Sequence, residues 1–184
     1  MRDLTFIGVD PGATGAIGVV HRDSVYAFDV PMRLVRRGDS DKPVTDIPQL
    51  WSLCSTLADL FPNTRVCIER VWGAKKQGGS AGAALGHHRA MLEAAFYTFF
   101  GKEPELISPQ KWKGDLGLIK RGEEADKGKS LQLALHAFPQ HTPLFTPVRK
   151  RSQEHKAGAT PLTEEQAKGR AEACLIAKWA RDRC

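Results

Sequence analysis

The run Phe6-Ile7-Gly8-Val9-Asp10-Pro11-Gly12-Ala13-Thr14-Gly15-Ala16-Ile17-Gly18-Val19-Val20 restricts the fold more than any other stretch, because two apolar segments meet at one acidic residue flanked by glycines. Leu4 to Val9 reads as a buried strand ending on Asp10. Pro11-Gly12 breaks the ladder, and Gly15 to Val20 starts a returning strand. Asp10 at a strand end either caps its own turn or holds a metal or phosphate, since glycine lets a ligand approach the backbone closely. The stretch alone leaves both readings open.

Ser24 to Val30 alternates well enough to complete an antiparallel meander. Arg33, Arg36 and Arg37 precede Gly38-Asp39-Ser40-Asp41-Lys42-Pro43, which reads as an exposed loop whose arginines are either solvated or touch phosphate. Asp46 caps an expected helix from Ile47 to Phe61, with Leu50, Leu53, Leu57 and Leu60 on its apolar face. Thr64 to Trp72 is a second buried-type strand, and it too delivers a carboxylate, Glu69. Two parallel strands joined by a crossover helix bring Asp10 and Glu69 to one sheet edge.

Gly73 to Gly82 is a glycine- and lysine-rich loop that includes Lys75 and Lys76. A long amphipathic helix follows over Ala83–Phe100 and is a candidate dimer surface. Adjacent His87 and His88 on it do not share a face, which disfavours a metal role. Glu105-Leu106-Ile107 is a short strand, Ser108-Pro109 opens a helical turn, and Lys111-Trp112-Lys113 sets an aromatic between two cations. Asp126 caps a helix from Lys127 to about Phe138. Pro139 to Pro161, with Arg149-Lys150-Arg151, reads as a basic surface insertion in a single domain spanning residues 1–184. Thr163-Glu164-Glu165-Gln166 is a capping box for a last helix through Arg181, in which Glu172 interrupts a small, apolar stretch. Glu172 points either to solvent or to the edge that holds Asp10 and Glu69.

Charge matters once the acids are considered together. A net +6, from 27 basic against 21 acidic side chains, favours a polyanionic partner. Three converging carboxylates with no local cation persist mainly around a divalent metal, and an all-oxygen set points to Mg²⁺ or Mn²⁺. With a nucleic-acid phosphate bridging two ions, that is a phosphodiester-hydrolysing arrangement. No apolar run approaches the roughly 20 residues of a membrane span. Met1-Arg2-Asp3 runs straight into the first strand, and Cys54, Cys67, Cys174 and Cys184 lack zinc-site spacing, so the expectation is an intracellular, reducing compartment with no signal peptide.

Taken in order, Ile7-Gly8-Val9-Asp10-Pro11-Gly12-Ala13-Thr14-Gly15, Cys67-Ile68-Glu69-Arg70-Val71 and Gly169-Arg170-Ala171-Glu172-Ala173 resemble the RuvC family of Holliday junction resolvases. Ala84-Leu85-Gly86, Ser108-Pro109-Gln110-Lys111-Trp112-Lys113 and Ala125-Asp126-Lys127 extend the resemblance to nearly the whole chain outside 139–161. It implies an α/β, RNase H-like fold with a mixed five-stranded sheet, an antiparallel meander plus parallel strands, flanked by helices. It also implies a homodimer that nicks four-way DNA junctions symmetrically with Mg²⁺ or Mn²⁺, two ions per site. By the same resemblance Asp10, Glu69 and Glu172 are metal ligands and Lys127 lies near the scissile phosphate. Trp72 stacks in the junction centre, or is ordinary core at a strand end. Lys75, Lys76, Lys111, Lys113, Lys168 and Arg170 are expected to contact DNA. The Gly-Arg-Ala-Glu-Ala and Ser-Pro-Gln-x-Trp-Lys segments look most like phage and chloroplast branches, which implies phage-host or bacterial cytoplasm, or plastid stroma for a mature organellar form.

One departure stands out. The family usually carries an acid or histidine a turn before the last carboxylate, and this chain has Lys168 and Gly169 there. Glu165, two turns before Glu172, and His155 from the insertion are the available substitutes. A junction-binding protein of this fold that has lost its chemistry is therefore a second expectation. Asp10-x-Gly12-x-Thr14-Gly15 also resembles the phosphate loop of actin-like ATPases, but 184 residues leave no room for their second lobe.

Overall fold

The computed structural model describes residues 3–12, 14–70, 79–119, 127–147 and 162–184. Trp72, Lys75, Lys76, Asp126 and His155 lie outside the described residues. The expected meander is β1 (Thr5–Asp10), β2 (Ala16–His21) and β3 (Ser24–Asp29).

The arginine-rich stretch is not a loop. It forms β4 (Met32–Arg37) and β5 (Ser40–Thr45), an antiparallel hairpin that makes its own two-stranded sheet. Gly38, at φ 63°, supplies the left-handed residue that a two-residue hairpin turn needs. Pro43 is tolerated because the strand is an edge. Charge and proline hid the strands from a hydrophobic-pattern reading.

Helix α1 (Ile47–Leu60) is capped as expected, the Asp46 carboxylate accepting from the Gln49 N–H at 3.1 Å. Strand β6 (Thr64–Glu69) ends on its carboxylate, and the last two residues of the expected strand, Val71 and Trp72, lie outside the described residues. Helix α2 (Gly79–Phe100) starts four residues before Ala83, so tertiary context overrides the weak helix propensity of Gly79 and Gly82. Then come β7 (Glu105–Ile107), α3 (Pro109–Asp115), α4 (Lys127–Ala137) and α5 (Glu164–Arg181), the last with the expected Thr163–Gln166 capping box. The expected insertion begins with a 3-10 turn, Pro139–Leu144, that leads into the fully buried Phe145, so its first residues belong to the packed body. No described helix is long and apolar enough to cross a membrane.

The main sheet is five-stranded and mixed, in the order β3-β2-β1-β6-β7, with β1, β6 and β7 parallel. Both faces are covered. Alternation sends Ile7, Val9, Ile17, Val19, Val66 and Ile68 toward Leu50, Leu57, Leu92 and Phe96 of α1 and α2. Phe6, Val20, Val25 and Cys67 face the other way, toward α3, α4 and α5.

Helix α5 lies unusually close to the sheet. A Cβ on Gly8 would fall 2.2 Å from the Ala173 carbonyl oxygen, and one on Gly18 would fall 2.5 Å from the Cys174 nitrogen. At the amino-terminal end of α5, a Cβ on Gly169 would fall 2.3 Å from the Thr14 carbonyl oxygen, in the β1–β2 turn. Glycine at these three points lets the helix backbone rest directly on β1 and β2. That contact fixes which end of α5 meets the Asp10 edge.

Candidate metal centre

The parallel register pairs Val9 with Ile68, so the next residues on the two strands, Asp10 and Glu69, stand side by side at the carboxyl edge. Strand alternation does the rest. Asp10 is two residues beyond Gly8 and Glu69 two beyond Cys67, so both carboxylates share the face covered by α5. Glu172 is three residues along α5 from Gly169, on the turn held against that edge. Each of the three offers a carboxylate oxygen within 4.8 Å of the others, and all are buried.

Neighbours hold each acid in place. The Gly12 N–H donates to Asp10 Oδ1 at 3.3 Å. Trp112 Nε1 donates to Glu69 Oε1 at 3.0 Å, and the Ser130 hydroxyl donates to Glu172 Oε1 at 3.0 Å. Between the two glutamates lies Lys113, whose Nζ is 2.7 Å from Glu172 Oε1 and 3.9 Å from Glu69 Oε1 and also sits 5.0 Å from the Trp112 ring centroid. Burial, then the Asp10 charge, push the Glu69 carboxyl up to about 7, with the Lys113 ammonium pulling the other way.

Among the described residues, three ionised carboxylates against one ammonium leave two negative charges in a buried space. Oxygen-only donors and that residual charge fit a hard divalent cation. No family model matches the chain, and no curated protein matches it. Among solved structures, T. thermophilus RuvC in complex with a Holliday junction substrate aligns with TM-score 0.54 at 13% identity, covering 97% of this chain and 96% of that one. A second Thermus thermophilus RuvC structure aligns with TM-score 0.50 at 15% identity over the same shares.

The chain has a RuvC-like fold.

On that RuvC-like scaffold the expected site residues divide into groups. Asp10, Glu69 and Glu172 come together. Lys127 opens α4, the helix that brings Ser130 to Glu172, so its backbone stands one turn from the cluster. Lys113, expected on a DNA-facing surface, is instead only 5% exposed and inside the cluster. Lys111 stays exposed, its Nζ 5.6 Å from the Trp179 ring centroid.

Two further expected DNA contacts are engaged within the protein. Arg170 grips Asp29 at the end of β3 through Nε at 2.7 Å and Nη2 at 2.9 Å, and Gln166 adds a bond to the same carboxylate. Lys168, one helical turn before Glu172, bonds Glu164 at 2.8 Å and Glu165 at 3.1 Å. Glu165 is thereby committed to Lys168, not to the cluster.

Ser130 and the structural role of Trp112 were not anticipated. Trp112 carried a signal, an indole in a short Ser-Pro-initiated helix, because a buried indole N–H needs an acceptor. Ser130 carried none.

Proposed function

We propose that this chain is a divalent-metal-dependent endonuclease that acts on branched DNA, resolving four-way junctions by paired symmetrical nicks as a homodimer. The observation that carries the reading is the buried Asp10–Glu69–Glu172 cluster, with Lys113 inside it, at the carboxyl edge of a RuvC-like sheet. The solved neighbour holding a Holliday junction supports the substrate class, and the net +6 charge suits a polyanion.

Asp10, Glu69 and Glu172 would hold Mg²⁺ or Mn²⁺, two ions in the nuclease reading, which when bound would supply a water of lowered pKa and charge stabilisation for the leaving oxygen. The chain's own groups prepare that site. Trp112 and Ser130 donate to the glutamates and fix which oxygens face inward. Lys113 neutralises one charge without metal, and beside an incoming phosphate its ammonium is placed to hold a non-bridging oxygen. By the family resemblance Lys127 would lie near the scissile phosphate, and Trp72 would stack on an unpaired base at the junction centre. Lys75, Lys76 and Lys111 contact flanking phosphates, and α2 forms the dimer surface. The buried thiols of Cys54 and Cys67, pushed up to about 12 by burial, suit a reducing interior such as the compartments of phage- or plastid-type relatives.

A labelled four-way junction incubated with Mn²⁺ is the test. Symmetrical nicks by the natural chain, absent in Asp10→Asn while junction binding persists, are expected. Undiminished nicking by Asp10→Asn would overturn the metal-cluster assignment. Tight junction binding without nicks in either metal would favour the second reading, a binding protein of the same fold, for which Lys168 at the usual acidic position is the specific observation.

A further inference from the structure

The β4–β5 hairpin remains unexplained by packing. Its strands run six residues each, about 20 Å at the usual rise, and its contacts to the rest of the described residues lie at its root. There Met32 packs against the core, the Asp46 N–H donates to the Pro31 carbonyl at 2.9 Å, and Thr45 Oγ1 lies 2.7 Å from Nδ1 of the buried His88 on α2. Beyond the root the ribbon stands clear: Leu34 is 70% exposed, and Arg33, Arg36, Lys42 and Pro43 are all exposed. An isolated two-stranded ribbon is marginal in water.

Register sorts its charges by face. Arg36 is opposite Asp41, and the two form an ion pair at 3.8 Å. On the other face Arg33 is opposite Val44 and Lys42 is opposite Val35, which makes the two residues diagonal neighbours with backbones about 7–8 Å apart. Neither has a carboxylate within ion-pair distance among the described residues. One face is therefore internally neutralised; the other carries Arg33 and Lys42 with no carboxylate partner among the described residues and, by register, Arg37 opposite Ser40, a basic face complementary to an outside anion.

Position completes the argument. Asp10 pairs with Ala16, Ala16 pairs with Asp29, and the Val30 N–H donates to the Gly15 carbonyl at 3.0 Å. Asp29 thus ends β3 at the same sheet edge as the carboxylates, two strand spacings or about 10 Å from Asp10, and the hairpin begins three residues later at Met32.

We infer that the Arg33–Lys42 face of the β4–β5 hairpin is a second DNA contact, holding the phosphate backbone of a duplex arm to one side of the metal centre. This rests on the junction reading above. The contact is electrostatic and independent of base sequence, so its signature is in the salt dependence of binding.

The experiment measures junction affinity against salt concentration, with EDTA present so that binding is read without cleavage. Each neutralised phosphate contributes about 0.9 to the slope of log affinity against log salt. Arg33→Ala/Lys42→Ala should flatten that slope by about 2, and Arg36→Ala should leave it unchanged. A steep slope that is the same in the double variant and the natural chain would overturn the hairpin contact alone. An equal flattening in Arg36→Ala would overturn the assignment to this face. No salt-dependent binding by the natural chain would overturn this inference together with the junction reading. Sedimentation of the same variants covers the rival occupant, since dissociation of a dimer by the double variant would assign the face to a second copy of the chain.

Discussion

Removing the cation inside the carboxylate cluster isolates what holds the site together. Lys113→Met keeps most of the buried stem and deletes an ammonium 2.7 Å from Glu172 and 3.9 Å from Glu69. The carboxylates would stay buried with their counter-charge gone. Breaking such a pair typically costs about 3–5 kcal/mol. At about 2–4 °C per kcal/mol for a chain of this size, the melting temperature in EDTA at pH 8 should fall by roughly 6–20 °C. Lowering the pH should shrink the loss, because protons can neutralise the carboxylates in place of the lysine. Saturating Mn²⁺ should return most of it, since a ligand that binds only the folded state stabilises it by an amount that grows with the logarithm of free ligand concentration over Kd. Thermal melts followed by circular dichroism, with and without Mn²⁺, read all three effects. A melting temperature within 2 °C or so of the natural chain at pH 8 without metal would refute the view that Lys113 holds these charges. A Mn²⁺ response no larger than that of the natural chain would refute the idea that lysine and metal neutralise the same acids.

Glu69 gives a pH signature of its own. Its folded value of about 7 lies above the ordinary carboxyl value of 4.5, so the folded chain binds that proton more tightly than the unfolded chain does. Metal-free stability should be highest below pH 4.5 as far as this group is concerned, decline as pH rises to about 7, and level off above, a loss on the order of 3 kcal/mol. Urea melts in EDTA should show that decline in the natural chain and lose it in Glu69→Gln; the same decline in both would assign it elsewhere. Lys168→Asp returns a carboxylate one turn before Glu172 and deletes a positive charge, so Mn²⁺ affinity read by calorimetry should rise by roughly tenfold or more. No change in affinity would place position 168 outside the field of the site. Gly18→Ala forces a Cβ to 2.5 Å from the Cys174 nitrogen, a backbone contact that cannot yield cheaply. Melting should show a loss of about 1–3 kcal/mol, accompanied by weaker Mn²⁺ binding as Glu172 shifts with α5.

Local signals were readable wherever one segment settles its own conformation. The Asp46 and Thr163 caps, the Ser108-Pro109 helix start and the two strands ending in Asp10 and Glu69 all stand where neighbouring residues put them. Each depends on hydrogen bonds or alternation within a few residues. The hairpin at 32–45 was hidden for the opposite reason: its strands are stabilised by cross-strand pairing and a glycine turn, with no apolar alternation to announce them.

From one-dimensional pattern alone came the meander, the crossover to a parallel strand and the two acids at strand ends, because strand termini and alternation are periodic properties of the chain; the five-stranded sheet and Glu172 as a third ligand were what the family resemblance implied. Folding decided the chemistry around those acids. Trp112 and Glu69 are 43 residues apart, Ser130 and Glu172 are 42 apart, and Arg170 and Asp29 are 141 apart. No periodicity links such pairs. Lys113 and Lys168 look alike as basic residues beside helix turns, yet one is sealed among carboxylates and the other bonds the exposed first turn of α5. What separates them is burial, and burial is a property of the packed layers: it turns Lys113 into an internal counter-charge and leaves Lys168 a surface ion pair.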